Sequence, residues 1–165
     1  AWTPHRSHLI NRLAKRIDAV VSVSNLSLER FLNWANPGSC QQIIIPNTID
    51  LTRYTPGVKP QSLVEQYNLA GKKVLLTMGR LAAHERYKGV DEVLDLLPGL
   101  LLNMPELVYL IVGDGDDRAR LETKARQLGI AEQVIFAGYI PNEDKQAHYR
   151  LADAYVMPSR GEGFG

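Results

Sequence analysis

The stretch Lys73-Val74-Leu75-Leu76-Thr77-Met78-Gly79-Arg80 decides how the rest of the chain is read. A near-continuous apolar run closed by a glycine and an arginine fits a strand covered on both faces. The pattern recurs downstream. Leu107-Val108-Tyr109-Leu110-Ile111-Val112 runs into Gly113-Asp114-Gly115, and Val134-Ile135-Phe136-Ala137 into Gly138-Tyr139-Ile140-Pro141-Asn142. A last run, Ala154-Tyr155-Val156-Met157, reads as a buried strand that delivers the chain into Pro158-Ser159-Arg160-Gly161-Glu162-Gly163-Phe164-Gly165. Helical patterns lie between these runs. The first has Val90, Val93, Leu94, Leu97 and Leu101 inward, with Pro98 expected to kink or break it. The second opens on Asp116-Asp117, points Leu121, Ala125 and Leu128 inward and stops at Gly129. A third is expected around Lys145 to Ala152. Strands alternating with helices predict right-handed crossovers and a parallel α/β sheet.

Toward the start, Thr3-Pro4 is a sound helix opening, and Leu9, Ile10, Leu13 and Ile17 recur as an inward stripe. The other face is basic, and His5 and His8 lack the carboxylate or cysteine that would complete a metal site. Ala19-Val20-Val21-Ser22-Val23 reads as a short buried strand. Ser24 then caps a helix with Leu28, Phe31, Leu32 and Ala35 on one face, ended by Pro37-Gly38. Ile43-Ile44-Ile45 is the next strand and Pro46-Asn47-Thr48-Ile49-Asp50 the turn after it. Residues 51–72, with Pro56, Gly57 and Pro60 and a small amphipathic piece at Leu63, Val64 and Tyr67, read as a connector.

Composition narrows the class. A net charge of +1 over 165 residues gives no global pull toward nucleic acid or an anionic membrane. With Cys40 as the single cysteine, disulfides and cysteine-based zinc sites are excluded, and a cytoplasmic location is expected. No apolar run approaches the ~20 residues of a membrane span.

In parallel α/β sheets ligands bind beyond the carboxyl ends of the strands, which is where the unusual residues gather. Arg80 and Lys88 bring two cations to that rim, and the closing loop supplies three glycines and Glu162. Such a loop cradles anions on its backbone N–H groups, while Glu162 is suited to a hydroxyl. Together they suit a diphosphate carrying a sugar. Each part also has a plainer reading, a solvated charge or a tight strand-to-helix turn. Gly113-Asp114-Gly115 falls short of a dinucleotide fingerprint because Arg118 holds its third glycine position. Asp114-Gly115-Asp116 also fits an Asp-x-Asp that holds a divalent metal, or a simple acidic helix start.

These residues resemble the retaining glycosyltransferases of family 4, whose GT-B fold faces two Rossmann-like domains. The resemblance is carried by Ala19 to Ser24, Pro46-Asn47-Thr48-Ile49-Asp50, Gly79-Arg80-Leu81, Lys88-Gly89, Val112-Gly113-Asp114-Gly115, Phe136-Ala137-Gly138, Ala152-Asp153-Ala154 and Pro158 to Gly165, in the family's order. Thr48 departs from it, standing where glycine is usual, and the loop from Arg80 to Lys88 is longer than the commonest form. The resemblance implies residues 1–50 as the end of an acceptor-side domain, 51–72 as interdomain linker and 73–165 as an incomplete donor-side domain. It implies that Arg80 and Lys88 hold the donor diphosphate, with the backbone of Gly163, Phe164 and Gly165 beside sugar and phosphate. Glu162 would be the first glutamate of the Glu-x7-Glu motif, against the transferred sugar, the second falling past the end of the chain. Gly113, Asp114, Gly115 and Ile140 would lie near the nucleoside.

The activity implied is transfer of a hexose from a UDP- or GDP-linked donor to a glycan or lipid-linked acceptor with retention. It needs no metal and no cofactor, since the nucleotide sugar is a substrate. Peripheral membrane contact would come through the acceptor-side domain, and this chain alone is expected to be inactive. Two alternatives stand beside it: a non-catalytic nucleotide- or phosphosugar-binding module, and a metal-dependent transferase using Asp114 and Asp116.

Overall fold

The computed structural model describes residues 8–162. The chain divides into two compact units, one formed by residues up to Asp50 together with the segment from Gly161, the other by Leu51–Arg160. The first holds α1 (His8–Ala14), β1 (Ala19–Ser22), α2 (Asn25–Ala35) and β2 (Gln41–Ile44). Strands β1 and β2 run parallel, Ala19 opposite Gln41 through Ser22 opposite Ile44. Ser24 caps α2 as expected: its Oγ accepts the Ser27 N–H at 3.1 Å. The helix closes on Asn36 at φ 43°, and Pro37 prevents it from continuing.

The burial expected of this unit is only partly met. β1 alternates exposed and half-buried residues instead of being covered. In α1 Ala14 is buried and Ile10 half-buried, as is Ile17 beyond the helix, while Leu9 and Leu13 are exposed. The Thr3-Pro4 helix start lies outside the described residues.

The second unit contains α3 (Gln61–Gln66), β3 (Lys73–Met78), α4 (Val90–Leu101), β4 (Leu107–Val112), α5 (Arg118–Gln127), β5 (Val134–Gly138), α6 (Lys145–Tyr149) and β6 (Ala154–Tyr155). Its sheet has the order β5-β4-β3-β6, all parallel. β4 is buried along its whole length. Alternation along it divides the core in two. Tyr109 and Ile111 face Leu94, Leu97, Leu121 and Ala125 of α4 and α5. Val108, Leu110 and Val112 face Leu69, Val74, Leu76 and Leu151 on the other side. Tyr109 buries its ring and bonds its hydroxyl to Thr77 Oγ1 at 2.8 Å, and burial pushes its ionisation well above the usual range.

Three details differ from the sequence reading. Leu63, Val64 and Tyr67 pack on the second core face beside buried Leu69, so the second unit begins within the stretch read as a connector. α4 runs unbroken through Pro98. Its neighbours Leu94 and Leu97 are wholly buried, each worth about 1.5–3 kcal/mol, which offsets the ~3 kcal/mol a helical proline costs. β6 is two exposed residues rather than a buried strand. Among the described residues it pairs with β3 alone, Leu75 opposite Ala154 and Leu76 opposite Tyr155. Among the described residues no helix is long and apolar enough to cross a membrane.

Candidate functional site

The carboxyl ends of β3, β4 and β5 are knitted together by backbone bonds. Gly79 N–H donates to Val112 O at 2.9 Å, Leu81 N–H to Asp114 O at 3.0 Å and Gly113 N–H to Gly138 O at 2.8 Å. This closeness explains the glycines. Gly113 sits at φ 136°, and a Cβ there would stand 1.8 Å from the Gly79 carbonyl oxygen; one at Gly115 would stand 2.3 Å from that of Leu81. Gly138 is different: its φ of 78° favours glycine, but a Cβ would meet nothing closer than the Arg118 guanidinium at 3.4 Å. Gly138→Ala should therefore cost only about 1–2 kcal/mol, the strain of a left-handed alanine, readable by denaturant unfolding.

The knitted rim surrounds a cleft of about 310 Å³. Met78, Gly79 and Arg80 line it from β3, Val112, Gly113 and Asp114 from β4, Tyr139 and Ile140 from the exit of β5, and Lys145 and Tyr149 from α6. Ligand clefts of α/β sheets occupy this place and start at about this volume. The structure thus brings Arg80, Gly113, Asp114 and Ile140 into one cleft, with Gly115 in the adjoining turn. Sequence reasoning passed over Tyr139, Lys145 and Tyr149. Their signal was position alone, since the loop after β5 and the helix behind it border the same rim.

Arg80 and Lys88 also come together, through a residue the sequence reading did not single out. In the 3-10 turn Ala83–Lys88, Glu85 Oε1 accepts from Arg80 Nη2 at 2.5 Å and Oε2 from Lys88 Nζ at 3.0 Å. The Glu85 side chain is 9% exposed and that of Lys88 18%, whereas Arg80 stands 73% exposed. The hydrogen bond from Lys88, then the charges of Lys88, Arg80 and His84, hold the Glu85 carboxyl below its ordinary range against the opposing effect of desolvation. The turn is braced from α5: Arg86 forks onto Asp117, and Ala83 N–H donates to Asp116 Oδ1 at 2.8 Å.

The start of the closing loop lies against this turn. Arg160 N–H donates to Tyr87 O at 2.9 Å, and a Cβ on Gly89 would stand 2.5 Å from Pro158 Cγ. Glu162 is grouped with the first unit, its carbonyl accepting from Arg30 Nη1 at 3.2 Å. Gly163, Phe164 and Gly165 lie outside the described residues. The carboxylates of the Asp-x-Asp have separate partners. Asp114 takes the Gly115 N–H and Arg118, and Asp116 takes Ala83. Among the described residues no three histidine, cysteine or acidic side chains are grouped to hold a metal ion.

A four-stranded parallel sheet with helices on both faces and a cleft at its carboxyl rim defines a Rossmann-like α/β unit. Residues 61–165 match the family of glycosyl transferases group 1, and the chain belongs to that family. It is 31% identical over 157 residues to the GDP-mannose-dependent alpha-(1-6)-phosphatidylinositol monomannoside mannosyltransferase of Mycolicibacterium smegmatis, covering 94% of this chain and 40% of that protein. It is 34% identical over 133 residues to mannosylfructose-phosphate synthase of Agrobacterium fabrum, covering 74% of this chain and 28% of that protein. Among solved structures, Anabaena Alr3699/HepE in complex with UDP and glucose superposes with a TM-score of 0.78 at 24% identity, over 95% of this chain and 42% of that one. The fold is accordingly GT-B, and the chain spans between 28% and 42% of the length of these three proteins.

Proposed function

We propose that the protein takes a hexose from a UDP- or GDP-linked donor and passes it to a glycan or lipid-linked acceptor with retention of configuration. The observation that carries this is that Arg80, which lines the cleft, shares one buried carboxylate with Lys88, which stands behind it rather than in its lining. In this reading the two cations meet the diphosphate, where negative charge grows as the sugar departs. Each charge-assisted contact contributes about 1.5–3 kcal/mol, and two of them give millimolar-to-micromolar binding. The nucleoside lies toward Gly113, Asp114, Gly115 and Ile140. Glu162 is assigned to the sugar, and Gly163, Phe164 and Gly165, which lie outside the described residues, to the phosphate. With two cations already on the diphosphate, the reaction needs neither a metal nor a cofactor. GDP-mannose is the first donor to try, because the mycobacterial relative is named for it.

Titration calorimetry of this 165-residue chain with GDP, UDP and their sugars should show weak binding and no turnover. Measurable transfer by the chain alone would refute the expectation of inactivity. A manganese requirement in the full-length protein would move the assignment to Asp114 and Asp116.

A further inference from the structure

We infer that Glu85 is the positioning residue for Arg80 and Lys88, and that it keeps its place when a diphosphate arrives. The inference rests on the donor reading above and assigns a role to a residue that reading does not need. A single carboxylate holds both cations, one on each oxygen. With 9% of its side chain exposed, Glu85 has little water to turn to, so letting go would leave a buried charge unpaired. Its backbone is held as well: Glu85 N–H donates to Ala82 O at 2.8 Å, while the Ala83 N–H reaches Asp116 and the Arg86 side chain reaches Asp117. Among the described residues Arg80 uses one of its five N–H donors on Glu85, and Lys88 one of its three. The remaining donors are offered to a ligand from side chains whose direction is already set, so less freedom is lost on binding.

The competing account has Glu85 as an anion that a diphosphate must displace. The two accounts predict opposite signs. Glu85→Gln removes the negative charge, so a displaced competitor would give tighter diphosphate binding. If Glu85 positions the cations, the amide N–H₂ faces one of them donor to donor, that side chain swings away, and binding weakens despite the added positive charge.

The test is calorimetry on the full-length protein with GDP, UDP and inorganic pyrophosphate. E85Q should weaken binding of each by tenfold or more, about 1.4 kcal/mol. Glu85→Asp, which keeps the charge one methylene short, should fall between the two. Lys88 should be acylated slowly by acetic anhydride in the wild type and several-fold faster in E85Q, a readout of the bridge that a merely structural residue would not move. Should E85Q fail to fold, E85D carries the test: weaker binding at unchanged charge supports positioning, and wild-type affinity overturns it. Equal or tighter binding by E85Q overturns the inference and leaves the donor reading standing. If the wild type binds none of the three ligands, the donor reading falls and this inference falls with it.

Discussion

In the full-length protein, and on the donor reading proposed above, replacing Arg80 with alanine is expected to lower sugar transfer by about 100- to 1,000-fold while leaving the melting temperature nearly unchanged. The two halves of that expectation come from different facts. Arg80 is 73% exposed, and among the described residues its recorded partner is Glu85. An ion pair so open to water contributes about 1 kcal/mol or less to folding, and Glu85 keeps Lys88 when Arg80 is gone. The guanidinium also stands at the rim of the cleft, where a preorganised donor acts on charge that appears only as the glycosidic bond breaks. Its loss should fall on kcat more than on KM. Arg80→Lys should recover part of the rate, because an ammonium restores the charge without the planar fork. Steady-state kinetics with GDP-mannose, beside a thermal melt, read both halves. Unchanged kcat/KM would remove Arg80 from the site.

Long apolar runs made the second unit legible. β3 and β4 occupy the expected residues because both faces are covered, so nothing in their sequence points to a wet side. The same logic misled at Ala154-Tyr155, where apolar letters stand on a strand with one neighbour among the described residues. At the rim the reading singled out residues whose type is unusual in its place, such as Arg80 after a strand or Gly113 before a helix, and these line one cleft. It missed Glu85, one charge in the run His84-Glu85-Arg86-Tyr87-Lys88 that looks solvated throughout. Only the folded turn, interrupted at Glu85 with φ −110° and ψ 21°, tucks that carboxylate beneath its two cations. Asp117 was likewise read as a helix-opening charge. It stands at the cap position of α5 without making a side-chain cap bond, and is spent on arginines instead. Pairing of this kind depends on which elements meet, which local pattern does not encode.

Asp117→Ala should destabilise the second unit by about 3–5 kcal/mol, the usual cost of removing one partner from a buried ion cluster. In a chain of this size that is a fall in melting temperature on the order of 10 °C. The Asp117 side chain is 5% exposed and receives Arg86 (Nη2 at 2.8 Å) and Arg120 (Nε at 2.8 Å, Nη2 at 2.6 Å). Arg120 forks onward to Asp91, which also holds Lys124, so the cluster ties α4 to α5 and, through Arg86, both to the Glu85 turn. Hydrogen bonding from Arg120 is the main cause that lowers both carboxyls, Asp91 from 3.8 to about 2 and Asp117 in the same direction. Because the folded values lie below the unfolded ones, their stabilisation is fully present above the ordinary aspartate range. It drains away as pH falls from about 4 through about 2. For Asp91 alone the pKa difference corresponds to about 2 kcal/mol at neutral pH. Denaturant unfolding across that window should show a steep loss in the wild type and a shallower one in D117A, whose remaining cluster has less to lose. The variant should also bind GDP more weakly, since Arg86 no longer anchors the turn that carries Glu85 and Lys88. A D117A protein with wild-type stability and the same acid slope would mean that these pairs are as inert as exposed ones, and that the turn is held by its backbone alone.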